Sequence, residues 1–142
     1  MSESRGRSPV LRSIGAVVAG SVVGIVLSIA TDALMHASGI FPPVGQPMSD
    51  GLFGLALGYR VVYGVLGSYI IAWLSPERPM RNALIGGALG FVASTVGAVA
   101  TWNKGPEFGP HWYPLALVAT TFPTAWLGAK LYLARATGSA PN

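Results

Sequence analysis

Cysteine is missing from this chain, and histidine occurs only as His36 and His111. Disulfides, thiolate metal sites and cysteine nucleophiles are thereby excluded. Charge is scarce as well. Only 10% of the 142 residues are Asp, Glu, Lys or Arg, against about 25% in a typical soluble domain, so the chain lacks the polar surface needed to face water on all sides. No P-loop, dinucleotide fingerprint, HExxH pair or nucleophile elbow occurs. No enzyme class and no cofactor are indicated by motif. Basic patches interleaved with aromatics are also absent, so the net charge of +4 does not point to nucleic acid.

What is present is apolar. Hydrophobic residues make up 51% of the chain, with 19 glycines and a mean hydropathy of +0.54. About 20 residues at ~1.5 Å each cross a ~30 Å hydrocarbon core, and four stretches are that long. The expected fold is an all-α integral membrane protein with spans at 13–36, 51–74, 82–102 and 114–134, arranged as two short-looped hairpins. One transmembrane domain, 13–134, then lies between a basic tail, 1–12, and a short tail, 135–142. A cleaved signal peptide also begins with basic residues. The apolar stretch from Ile14 to Met35 exceeds the roughly 7–15 residues of a signal core, and no clean A-x-A site closes it, so an uncleaved first span is expected.

Orientation follows from the distribution of basic residues. Arg5, Arg7, Arg12, Arg78, Arg81, Lys130 and Arg135 fall on one side of the four spans, and Lys104 alone on the other. The positive-inside rule then places both termini and the Ser75 to Arg81 turn in the cytoplasm of a multi-pass cell-membrane protein. Lys130 can snorkel to the interface on its long stem. Loops 37–50 and 103–113, rich in proline and glycine, fall on the outer side, with Trp102, Trp112 and Tyr113 at the level of an aromatic belt.

The first span carries a stripe at every fourth residue: Ala16, Gly20, Gly24, Ser28, Asp32, His36. Such residues share one helix face. Its small members let helices approach closely in lipid, and the same reading applies to Gly54 and Gly58 in the second span and to Gly86, Gly90 and Ser94 in the third. These faces imply packing within the bundle, against a second copy or against another membrane protein. A faint likeness between Leu66, Gly67, Ser68 and Leu127, Gly128, Ala129, with Arg12 and Arg81 each preceding a span, is compatible with a parallel duplication of hairpins or with chance.

Ionisable residues inside a span cost ~2.5–3.5 kcal/mol at mid-helix on insertion scales, so they normally turn inward and pair. Asp32 lies near the outer end of the first span and Arg60 lies deeper in the second. A short loop makes these helices antiparallel neighbours, so Asp32 and Arg60 are expected to pair, with Tyr63 on the Arg60 face and His36 one turn beyond Asp32. This set is the candidate binding or proton-relay site. Its bland counterpart is an ion pair that merely aligns two helices. Asp32, His36 and His111, with Asp50 and Glu107 in the outer loops, also have the residue types of a divalent-metal site. Their spacing is not diagnostic, and no metal is assigned.

In size and span number the chain is similar to small multidrug-resistance transporters. Those carry a membrane-embedded glutamate in the first helix, whereas the only acid here is Asp32 near the outer end, and no family is assigned. Two functions are therefore expected to compete: binding or passage of a small polar or ionic species at the outer site, and a non-catalytic accessory or scaffold role through the glycine faces.

Overall fold

The computed structural model describes residues 8–138, with Glu107 described by its backbone alone. Arg5 and Arg7 of the basic tail and residues 139–142 of the other tail lie outside the described residues. Four helices, and no strands among the described residues, make up the chain: α1 (Pro9–Ala37), α2 (Asp50–Trp73), α3 (Pro79–Thr101) and α4 (Trp112–Gly138), with a 3₁₀ turn at Pro106–Phe108. Three of these helices, α1, α2 and α3, are long and apolar enough to cross a membrane. α4 is a continuous helix of comparable length, but its apolar run is interrupted by Thr120, Thr121, Pro123 and Thr124, and it does not join them.

Helix starts depart from the expected boundaries for a local reason. Proline has no N–H to lose in the first turn and its φ suits a helix; α1 starts at Pro9 and α3 at Pro79. Pro9 to Arg12 are therefore helical rather than tail, and Arg81 sits inside α3 rather than in the turn. The Ser8 hydroxyl caps α1 by accepting from the Leu11 N–H, and Ser49 caps α2 by accepting from Leu52. α4 continues past the expected 134 to Gly138.

α2 is the hub. It packs against α1, α3 and α4, while α3 lies along α4 and touches α1 lightly. The α1–α2 contact is antiparallel with a steady register. Gly20 meets Gly67 and Ile71, Gly24 meets the Tyr63 backbone, and further out Thr31 and Asp32 meet Tyr63, Tyr59 and Arg60. A Cβ on Gly67 would lie 2.7 Å from the Gly20 carbonyl oxygen, and one on Gly128 would lie 2.5 Å from that of Val65. Only a missing side chain permits these crossings. Gly86 abuts Ile71, Gly87 abuts Ala125, and Gly90 faces Thr121. Ser28 and Ser94 are half-buried. Gly54 and Gly58, in contrast, face open space: a Cβ on either would meet nothing within 4 Å, so among the described residues no element packs on that face.

Two small cores result. Val17, Ile71, Ala72, Ala83 and Ala129 gather toward the end where α1 and α3 begin. Phe41, Phe53, Ala56 and Tyr113 gather at the opposite end, flanked by Met35, Met48 and Leu52. Large apolar side chains elsewhere, including Ile25, Ile29, Val62, Leu89 and Val96, are exposed, as befits helices solvated by acyl chains.

Candidate functional site

The core built on Phe41, Phe53 and Tyr113 fixes the backbone around Asp32. Beyond α1 the chain doubles back: the Phe41 N–H donates to the Met35 carbonyl at 3.0 Å. His36 Nδ1 lies 2.9 Å from the Pro42 carbonyl oxygen; a carbonyl only accepts, so Nδ1 carries the proton. The His36 ring meets the Phe41 edge at 5.3 Å. Phe41, only 3% exposed, is thereby tucked over the helix ends. Gly109, at φ +97°, brings the α3–α4 loop so close to Phe53 that a Cβ there would lie 2.7 Å from its ring. The Phe53 ring in turn packs against Tyr113 at 5.0 Å.

Beneath this cap, four side chains from three helices form a connected polar group. Asp32 of α1 forms an ion pair with Arg60 of α2 through Oδ2, and its Oδ1 accepts from the Tyr59 hydroxyl. The other arm of the guanidinium donates to the Tyr113 hydroxyl of α4 at 2.7 Å. The Arg60 Cζ also lies 5.6 Å from the Tyr59 ring centroid, within cation–π range. Arg60 stands ten residues after the start of α2, ~15 Å by helical rise, so its long stem carries charge upward to partners nearer the helix ends.

The group is neutral as a pair but not exhausted. A guanidinium has five N–H donors, and two are engaged. Having accepted from Arg60, the Tyr113 hydroxyl still has its own proton to donate. Side-chain exposures of 28% for Arg60 and 31% for Asp32 leave these groups reachable from outside the bundle. The arrangement can offer donors to an acceptor-bearing solute, or pass a proton among two phenols and a carboxylate.

Not every residue expected at the site joins this polar group. Tyr63 is one turn further down and bonds to Thr31 at 2.8 Å; because the Thr31 hydroxyl donates to the Leu27 carbonyl, Tyr63 is the donor. His36 is engaged by the α1–α2 loop, not by Asp32. His111 stacks on Trp102 at 3.8 Å and places Nε2 2.9 Å from the Trp102 carbonyl oxygen. Among the described residues, no three of the His, Asp and Glu side chains gather as metal ligands would. Tyr59 and Tyr113 are the members that sequence reasoning missed. The signal for Tyr59 was available, because an i, i+4 pair of tyrosines defines the α2 face turned to α1. For Tyr113 the sequence supplied only an aromatic at a helix start.

Compared with known proteins, the chain matches no family model, no curated protein and no solved structure.

Proposed function

We propose that this chain is a small polytopic membrane protein whose Asp32–Arg60 group, with Tyr59 and Tyr113, binds or passes a small polar or ionic species from the outer side. The observation carrying this reading is that three helices converge on one partly exposed charged group, with donors left over. A pair serving only to align helices has no need of a third helix or of a reachable face. Intramembrane charges of this kind characteristically line binding sites and pathways.

The topology that goes with it has four spans, α4 included, in a cell membrane, with both termini cytoplasmic. α4 lies alongside α2 and α3, which supports its crossing with them. Arg78, Arg81, Lys130 and Arg135 at one end, against Lys104 at the other, support the orientation by the positive-inside rule. The lipid bilayer is then the surroundings of the chain, and a bundle with so little interior acts as a homo-oligomer or beside another membrane protein.

Proteoliposomes loaded with a pH-sensitive dye, with a thermal-shift panel of small anions and cations on detergent-solubilised protein, test the site. Asp32→Asn and Arg60→Gln are expected to abolish ion-dependent stabilisation or proton flux while the protein still inserts. The exchanged variant Asp32→Arg/Arg60→Asp is expected to fold yet stay inactive. Variants that change assembly alone would refute the site.

One observation favours the second reading, an accessory or scaffold subunit. Gly54 and Gly58 present a flat face that none of the described residues covers, which is the form of a helix-docking surface in lipid.

A further inference from the structure

At the opposite end of the bundle, where α1 and α3 begin and α2 ends, lies a cavity of about 280 Å³. Three arginines, Arg12, Arg78 and Arg81, and one acid, Glu77, line it. Arg81 is held in place: its guanidinium donates to Asn82 Oδ1 at 3.0 and 3.2 Å and to Ser13 Oγ at 3.3 Å. Asn82, 1% exposed, anchors the floor by donating to Ser13 and Ser75, each at 3.0 Å. Ser13 Oγ thus accepts twice and keeps its own proton to donate. Among the described residues, the guanidinium groups of Arg12 and Arg78 have neither an ion-pair nor a hydrogen-bond partner, and the wall carries more positive charge than Glu77 offsets. The apolar part of the lining, Val10 and Leu74, adjoins Trp73, which is 60% exposed at the depth where tryptophan marks a membrane interface.

We propose that this cavity is a binding site for a phosphate group, supplied by an anionic phospholipid of the adjacent leaflet or by a soluble phosphate ester. Guanidinium forks match phosphate oxygens in geometry and charge, and basic pockets between spanning helices on the cytoplasmic side take anionic headgroups. Two arginines wait unpartnered beside a third that is fixed. A cavity this size takes a phosphate with its glycerol, and the apolar rim lies where acyl chains begin. The site is remote from the Asp32–Arg60 group and does not depend on its function.

Native mass spectrometry of the full chain in non-ionic detergent, with phosphatidylglycerol, phosphatidylcholine or glycerol phosphate added, tests this. The wild type is expected to retain phosphatidylglycerol over phosphatidylcholine. Arg12→Gln/Arg78→Gln should lower that retention about 25-fold, or about five-fold for each basic residue removed. Glu77→Gln, which takes away only the opposing charge, should raise it. Displacement of the lipid by glycerol phosphate, or binding of glycerol phosphate alone, assigns the site to a soluble ester; retention in its presence assigns it to lipid. Equal retention of the two lipids without glycerol phosphate binding would overturn the proposal, as would a folded double variant that binds like the wild type. Should the double variant fail to fold, unchanged retention by Glu77→Gln would overturn it as well.

Discussion

Asp32 divides its two oxygens between Tyr59 and Arg60, so the phenols around the pair differ in what their removal should do. Tyr59→Phe deletes a bond to a carboxylate, and Tyr113→Phe deletes one to a guanidinium. Hydrogen bonds to charged groups are worth about 1.5–3 kcal/mol, and partial exposure puts these at the lower end. Each variant should lower the unfolding midpoint in detergent, whereas Tyr63→Phe, whose partner is the neutral Thr31, should lower it less. Thermal unfolding of the three variants side by side checks the order. Asn82→Ala should rank with the worst, by ~1–3 kcal/mol, because it leaves the buried Ser75 hydroxyl without its donor and strips Ser13 and Arg81 of a shared partner. The pairing of Asp32 with Arg60 was legible in the sequence because a buried charge requires a partner and the candidates were few. The place of Tyr63 was not, since its three-residue offset from Arg60 suggested a shared target. The i, i+4 spacing of Tyr59 and Tyr63 turns both toward α1, while Arg60 reaches between α1 and α4.

At the scale of the helix, glycines that look alike in sequence separate into two kinds. Gly20, Gly67 and Gly128 stand where another backbone passes, and replacing any of them by leucine overfills the crossing, at a cost of ~1–3 kcal/mol or more. Gly54 and Gly58 have empty space around them. Gly54→Ala and Gly58→Ala should leave monomer stability unchanged or improve it, since alanine is the better helix former. Gly54→Leu/Gly58→Leu then asks what the face is for. Loss of an oligomer on size-exclusion chromatography, with the monomer still folded, would show that it docks a second copy. Four helices and their order were readable in the sequence, three of them from apolar length. Their ends were less so, because proline reads as a turn signal in SPERPMR yet opens α3 at Pro79. Which glycines pack could not be read, because the sequence gives the face of a helix but not its neighbour.

For the molecule as a whole, the proposed topology is open to direct test in a chain with no native cysteine to remove. Ser49→Cys should label with a membrane-impermeant maleimide on intact cells, while Glu77→Cys and Thr137→Cys should label only after permeabilisation. Labelling of Thr137→Cys from outside would mean that α4 does not cross. The Asp32–Arg60 bridge also has a consequence for how the protein is made. The two residues are 28 positions apart, and a ribosome adding ~5–20 residues each second leaves α1 waiting on the order of seconds for its partner. An arginine ten residues inside α2 resists entry into lipid on its own. α1 and α2 are therefore expected to leave the translocation machinery together as a charge-neutral hairpin, and a truncated chain beginning at α2 should insert poorly until Arg60 is replaced by leucine.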